Sequence, residues 1–472
     1  MGTLKRALGV WHLITLGIGA IIGAGIFVLT GTAAAQYAGP GIIISFGIAA
    51  IICLLAGLCY AEFAAMIPKA GSAYTYALAT MGKGVAWVIG WDLILEYLFA
   101  SATVAVGWSG YAVSLLKDIG WVLPDTLTQS PLTYSHGTFA TTGHFINLPA
   151  MLIIGLVGGV LWLGIRESAR ANAIIVGIKL VVIGLFIAIG FPHIDPTHLS
   201  PFIPENTGTW GSFGWSGVLR AAGIIFFAYI GFDAVSTAAQ ECRNPQRDLP
   251  IGILGSLGFA TILYVLVAVV LTGSVHYSQL NVPDPIAIAV DAFGPQMGWL
   301  KVGIKCGALA GLSSVILVML MGQTRVFYAM AHDGFLPAWF KSIHPRFHSP
   351  STATLVTTLV GMGIAGFFPI QLLSEMVSIG TLLAFGIVCV GIVVLRRQRP
   401  DLPRPFKTPW VPLVPLLGAF AAFAQMLALH PDTWLRLVAW LAMGGVVYWF
   451  YGRRVTITQE MIVNHDPDTR TT

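Results

Sequence analysis

The sequence predicts an all-α, polytopic membrane protein, and three observations lead there. Only 10% of the 472 residues are charged while 56% are hydrophobic, with a mean hydropathy of +0.81, far from the roughly 25% charged residues of a soluble domain. Apolar runs of about 20 residues, the length a helix needs to cross the hydrocarbon core, recur from residue 10 to residue 452. The segments between them are too short to hold a soluble domain, and they sort their basic residues by side.

Twelve spans are expected, near residues 10–36, 41–67, 84–116, 147–165, 171–191, 214–241, 250–275, 299–330, 351–368, 372–395, 411–429 and 433–451. The first starts behind Lys5 and Arg6 and is too long and glycine-rich for a signal-peptide core, so it is read as retained. Lysine and arginine are kept on the cytoplasmic side of short loops. With the N-terminus inside, 19 of the 25 Lys and Arg share that side, among them Lys5, Arg6, Lys69, Arg166, Arg243, Arg325, Arg396 and Arg470. The alternate loops 118–146, 193–213, 278–298, 369–371 and 430–433 contain none. Both termini are therefore expected in the cytoplasm, in the cell (plasma or inner) membrane. The other six, Lys117, Lys179, Arg220, Lys301, Lys305 and Arg436, sit in or at the ends of spans, where long basic chains snorkel to the interface. Lys179 alone is too deep for that. The topology accounts for the net charge of +5, which leaves no argument for nucleic acid. Cys53, Cys59, Cys242, Cys306 and Cys389 have no paired spacing in an outer loop, and His136, His144, His193, His198, His332, His344 and His348 read as solvated loop residues. Neither a disulfide framework nor a metal site is indicated.

Within the first span, "GIGAIIGAGIF" (17–27) carries Gly17, Gly19, Gly23 and Gly25. Gly19 and Gly23 form a small-xxx-small pair that lets helices approach closely. Gly-Ala-Gly at 23–25 is not explained that way, because adjacent glycines point in different directions and each costs helix stability. Local unwinding is the better account, and unwound backbone at membrane depth needs protein or a cavity to face. Interrupted spans mark binding sites in transporters built from inverted halves, which predicts a second interruption in the other half. "FFAYIGFDAVST" (226–237) in span 6 supplies it, with Gly231 and an acidic Asp233. The interruptions fall in the first helix of each of two five-span sets.

"YAEFAAMIPKAGSAYTY" (60–76), "FFAYIGFDAVSTAAQECRNPQRDLPIGI" (226–253) and "GQTRVFYAMAHDGFLP" (322–337) resemble the signatures of the cationic amino acid transporter family. That family lies within the amino acid, polyamine and organocation superfamily. The likeness covers nearly the whole chain, and twelve spans make it similar to the bacterial members. It implies a LeuT-type 5+5 inverted repeat plus two C-terminal helices: one transporter domain with halves at 10–191 and 214–395, two further helices at 411–451 and a cytoplasmic tail at 453–472.

On that frame each site residue has an expected role. Where span 1 restarts, the N–H groups of Gly23, Ala24 and Gly25 suit a carboxylate at a positive helix end. Ala24 stands where relatives often have a hydroxyl. The α-ammonium is expected against free carbonyls of Ile21, Phe227, Ala228 and Ile230. Phe227 resembles the superfamily's aromatic gate, with ordinary packing as the plainer alternative. The resemblance sets Ala100 and Met319 at the side-chain end, where a thioether offers a cationic tail almost nothing. Three intramembrane ionisable residues, Glu96, Lys179 and Asp233, need partners. A lysine at this place in span 5 resembles a tethered cation in proton-coupled members; here it is a titrating group or a charged strut. Glu96 and Asp233 are proton carriers or braced neutral acids.

The resulting expectation is a secondary active transporter, not an enzyme, importing small neutral amino acids, with cationic ones left open, together with protons by alternating access. An uncoupled exchanger and a non-transporting sensor of the same fold stay open. The implied partners are an amino acid, protons and membrane lipid, with a small single-span accessory subunit undecided. No nucleic acid and no cofactor is called for.

Overall fold

The computed structural model describes residues 8–67, 72–135, 138–164, 169–237, 239, 242–347 and 349–454. The readings placed on Lys5, Arg6, Lys69, His136, Arg166, His348, Arg470 and the tail beyond residue 454 lie outside the described residues. Apolar runs become helices here because a helix satisfies its own backbone where no water can. Eight described segments are long and apolar enough to cross a membrane: Gly25–Met66, Lys83–Asp118, Asn172–His193, Gly214–Ser236, Pro245–Ser274, Pro295–His332, Ile370–Gln398 and Pro431–Phe450. The shorter apolar helices Val10–Ile21, Leu148–Trp162, Ser351–Phe367 and Leu413–Leu427 lie among them.

In chain order the helices are α1 (Val10–Ile21), α2 (25–38), α3 (Ile42–Met66), α4 (Ser72–Thr80), α5 (Lys83–Asp118), α6 (Leu148–Trp162), α7 (Ala169–Gly190) and α8 (Gly214–Ile225). They continue as α9 (Ala234–Thr237), α10 (Pro245–Ser274), α11 (Pro285–Asp291), α12 (Gly298–His332), α13 (Ser351–Phe367), α14 (Ile370–Gln398), α15 (Leu413–Leu427) and α16 (Pro431–Phe450). The strands β1 (Leu132–Ser135) and β2 (Thr138–Thr141) pair antiparallel in the loop after α5. At the centre, α10 packs on α1 and α3, while α12 packs on α5 and α7. α1 sits between these groups, against α7, α10 and α12. α6 with α13, and α14 with α15 and α16, form the periphery.

Several charges expected at the interface are instead paired. Lys305 is 1% exposed and ion-pairs with Asp118, with Asp284 at 3.8 Å. Lys301 pairs with Asp291 at 2.8 Å. Arg436 pairs with Glu375 at 3.0 Å and lies over the Tyr134 ring, and Arg220 lies over the Tyr37 ring. The physical reason is that loop and helix-end partners reach these cations before the interface does. Fully buried Glu62 in α3 takes Arg396 in two bonds of 3.0 and 2.7 Å and the Thr408 N–H at 2.7 Å. Such bidentate, charge-assisted contacts fix geometry as well as add energy, and this one ties the α14–α15 loop beneath α3.

Candidate functional site

α1 stops at Ile22, whose ψ of 95° is extended, and the chain turns through Gly23 before the helix restarts as α2. A helix end leaves its last carbonyls without partners inside the helix. Here the Lys179 ammonium on α7 donates to Gly19 O at 2.8 Å and to Ile22 O at 3.1 Å. The Tyr264 hydroxyl on α10 lies 2.8 Å from Ile21 O and 2.7 Å from Ala228 O.

The second interruption follows α8. Phe226–Tyr229 form a tight 3₁₀ turn, Ile230 is extended, and Gly231 takes a φ of +113° before α9 begins. That φ is strained for any residue with a Cβ, and a Cβ would also meet Ala20 at 3.0 Å, so glycine is required twice over. The α1 glycines each face a different neighbour. A Cβ on Gly17 would meet Ser256, on Gly19 Asn172 and Val176, on Gly23 Val315, and on Gly25 the Ala228 backbone at 2.3 Å. The pair Gly19 and Gly23 is therefore not one stripe, and Gly25 serves the contact between the interruptions.

A narrow cavity lies between the interruptions, lined by Ala20, Ile21, Gly23, Ala24, Gly25, Ala100, Val104, Phe227, Ile230, Val315 and Met319. In this state it has room for about one water molecule. The substrate-site residues expected from sequence thus line one cavity, except Ala228, which is buried against Gly25; Lys179, Glu96 and Asp233 lie outside its lining. Ala20, Val104 and Val315 were missed; nothing in their own residue types distinguishes them from core. One expectation needs correction: the four carbonyls are not all free. Ile21 O and Ala228 O face the Tyr264 hydroxyl and Phe227 O accepts from Ile230 N–H at 3.2 Å, because interrupted helices recruit neighbours to their exposed ends. The backbone gives the cavity polarity at one end, while Val104, Val315, Ala100 and Met319 make the rest apolar.

Below it lies an acidic cluster. Asp233 Oδ2 accepts from Tyr97 Oη at 2.5 Å and from Ser72 Oγ at 3.0 Å. The Glu96 carboxyl lies against that of Asp233. Glu96 belongs to a π-helical turn, Leu95–Phe99, a distortion frequent at functional sites. Asp92, one turn earlier and 1% exposed, is a further buried acid absent from the sequence expectation. Among the described residues, no donor reaches Asp92 or Glu96, whereas Lys179 is held apart at α1.

Residues 8–449 match the family model described as amino acid permease. The chain is 45% identical to the branched-chain amino acid permease BcaP of Bacillus subtilis (strain 168), over 96% of this chain and 94% of that protein. It is 43% identical to the methylthioribose transporter of the same organism, over the same shares. It is 37% identical to the vacuolar cationic amino acid transporter 4 of Arabidopsis thaliana, over 84% of this chain and 64% of that one. The chain belongs to the amino acid permease family: it is a multi-pass membrane transporter, not an enzyme.

Proposed function

We propose that this member of the amino acid permease family imports neutral aliphatic amino acids together with protons, by alternating access. The observation that carries this reading is the cavity between the two helix interruptions, with backbone polarity at one end and Ala100, Val104, Val315 and Met319 at the other. N–H groups at the α2 start, Gly23 to Gly25, suit the substrate carboxylate. The Ile21 and Ala228 carbonyls suit its ammonium once the single proton of Tyr264 has turned to one of them. The halves 10–191 and 214–395 rock about this site, with both termini in the cytoplasm and Phe227 closing over the ligand from outside.

Lys179 substitutes for a sodium ion at the α1 carbonyls, so coupling falls to protons. Glu96 and Asp233 form a carboxyl pair in contact, an arrangement suited to holding one shared proton. A long cationic tail at the far end loses hydration and meets only Met319 and valines, which costs several kcal/mol or a displaced wall. That two of the relatives are named branched-chain amino acid permeases favours the same substrate class.

Purified protein in liposomes tests the proposal. Radiolabelled leucine or alanine is expected to accumulate when the outside is acidic, with no effect of sodium. Arginine and unlabelled methylthioribose, suggested by the relative of that name, serve as competitors. Uptake only into vesicles preloaded with amino acid would make the protein an exchanger, and a sodium requirement at constant pH would overturn proton coupling. Met319→Ser is expected to admit arginine as a competitor for alanine; unchanged competition removes Met319 as selector.

A further inference from the structure

The first turns of α5 are pinned to the backbone of α16. Trp87 donates its indole N–H to Gly444 O at 3.0 Å, and Trp91 donates to Trp440 O at 2.9 Å, so the two helices run antiparallel. The Trp91 ring stacks on Trp440 with centroids 5.0 Å apart, and the Trp87 ring lies 5.6 Å from that of Tyr448. The helices do not close over these rings. A groove of about 220 Å³ runs between them, walled by Trp87, Val88, Trp91, Leu441 and Tyr448, with Gly84, Gly444 and Gly445 in its lining. It is much larger than the cavity between the interruptions. Both indole N–H groups are already used, which leaves ring faces and aliphatic side chains to meet an occupant.

The three glycines do different things. Gly444 makes room for its neighbour, since a Cβ there would lie 2.5 Å from the Trp91 ring. Gly84 and Gly445 are exposed, and a Cβ on either would meet nothing within 4 Å. Glycine weakens a helix, and at these two positions the missing side chains leave open space. Met443, Val446, Trp449 and Phe450 are exposed beside it on α16, so the groove opens on a face that meets lipid. Its end at Gly84 and Tyr448 is basic. Lys83 begins α5 there, and Arg453, just beyond α16, lies with its guanidinium 4.3 Å over the Trp449 ring. Gly452 sets this turn down on Tyr448, where a Cβ would lie 2.3 Å from the ring. Residues 81–91 and 437–454 include no Asp or Glu, so neither adjoining stretch neutralises that end.

We propose that this groove is a binding site for one anionic phospholipid, with an acyl chain along the indoles and the phosphate at Arg453 and Lys83. Charge complementarity selects that occupant. Basic residues where a helix leaves the membrane attract anionic headgroups, and the apolar groove that runs from them has the form of a chain site. A free phosphate would use the basic end and leave the groove empty. A second copy seated here through α16 would bring no carboxylate for that end, since residues 437–454 hold none. The lipid bridges α5 to α16, and a ligand that binds the folded protein raises its apparent stability.

The test uses the full chain, stripped of lipid in detergent and given phosphatidylglycerol or phosphatidylcholine with the same acyl chains. Bound lipid is counted by native mass spectrometry, and the melting temperature is read alongside. The parent is expected to retain one phosphatidylglycerol in preference to phosphatidylcholine and to melt higher with it. Gly84→Leu and Gly445→Leu each fill the groove where a side chain meets no neighbour. A leucine displaces about two CH₂ groups of the lipid, each worth a factor of about four, so retention is expected to fall roughly tenfold. Lys83→Ala combined with Arg453→Ala is expected to cut the preference for phosphatidylglycerol about fivefold per basic residue, while phosphatidylcholine still binds. Gly159→Leu on α6, where a Cβ also meets nothing within 4 Å, is the control and is expected to bind as the parent does. Parental retention of phosphatidylglycerol by Gly445→Leu, in protein that elutes as a single species, overturns the site. An unchanged preference in the double variant does the same for the headgroup. Glycerol phosphate competing as well as the lipid would reduce the site to its basic end, and a dimer that Gly445→Leu splits without loss of lipid would give the groove to a second copy.

Discussion

The interruptions after α1 and after α8 face one another across a single cavity, yet they are held by opposite charges. Where α1 ends, the exposed groups are carbonyls at the partially negative end of a helix dipole, and the ion beside them is the Lys179 ammonium. Where α9 begins, the N–H groups of Ala234, Val235 and Ser236 turn back onto the carbonyls of Gly231, Phe232 and Asp233, and the ionisable group there is the Asp233 carboxyl, kept in place by Tyr97 and Ser72. The ammonium complements the dipole it meets, whereas the carboxyl is held by two side-chain hydroxyls. The interruptions also differ in what they demand of glycine. Gly231 is needed for its φ of +113°, whereas Gly25 is needed because the Ala228 backbone leaves no space for a Cβ. One is a matter of conformation and the other of contact, and different substitutions separate them.

Gly25→Ala gives the largest expected effect. A Cβ would sit 2.3 Å from Ala228 Cα, and backbone on both sides cannot yield as a side chain can, so the cost exceeds the ~1–3 kcal/mol of ordinary overpacking. The two interruptions are forced apart. Loss of uptake with a fall in detergent melting temperature is expected; a variant as stable and active as the parent would mean that the close contact is not maintained in the working protein.

Lys179→Ala comes next and acts on the α1 interruption alone. It leaves Gly19 O and Ile22 O without that donor, at about 1–3 kcal/mol for each buried group left unsatisfied, and removes the tethered charge. Concentrative uptake is expected to vanish while the protein still elutes as a single species. If the variant still concentrates substrate along a proton gradient, the ammonium is a strut and no more. Asp233→Asn is the matching change at the other interruption and is expected to be milder, because an amide still accepts from Tyr97 and Ser72. Accumulation is expected to drop roughly tenfold, for a coupling loss near 1.4 kcal/mol, and uptake to lose its dependence on external pH, with exchange of preloaded substrate retained. Equal loss of exchange and accumulation would assign Asp233 to bracing the fold.

How far these features were legible follows from where their causes lie. The interruptions were written locally, in Gly-Ala-Gly at 23–25 and in the Gly231 segment, because helix-breaking chemistry is a property of the residues themselves. Lys179 was legible because a lone lysine in an apolar run has to find a partner. Asp92 was not, since four residues from Glu96 it reads as part of the same feature; only the packing of α14, where a Cβ on Gly380 would lie 2.9 Å from its Oδ1, marks it as deeply enclosed. Lys305 and Arg436 were misread for a related reason. Snorkelling is the default for a basic residue at a span end, and the carboxylates that override it, Asp118 and Glu375, come from other helices. The glycines of α1 were legible as small but not as a set, since the neighbour that excludes a Cβ at each belongs to a distant segment.

Tyr264 bears on both interruptions at once, and the smallest expected effect is there. Its hydroxyl lies 2.8 Å from Ile21 O and 2.7 Å from Ala228 O, but a phenol has one proton, so it donates to one carbonyl at a time and the other has only the oxygen beside it. An ammonium between the same carbonyls has three donors and satisfies both. On the proposed mode of binding, the substrate ammonium relieves the shortage at these carbonyls, and the tyrosine decides how large that shortage is. Tyr264→Phe removes the proton and leaves both carbonyls waiting, with no change in ring packing against Phe46 and Tyr229. The empty protein loses about 1 kcal/mol of stability, but the loaded protein, whose carbonyls meet the ammonium instead, loses less. The expected result is a lower melting temperature without leucine, partly restored by leucine, and a change of only a few-fold in KM. If leucine restores the variant no better than it shifts the parent, the ammonium does not take over these carbonyls, and the two interruptions are bridged by Tyr264 for structure alone.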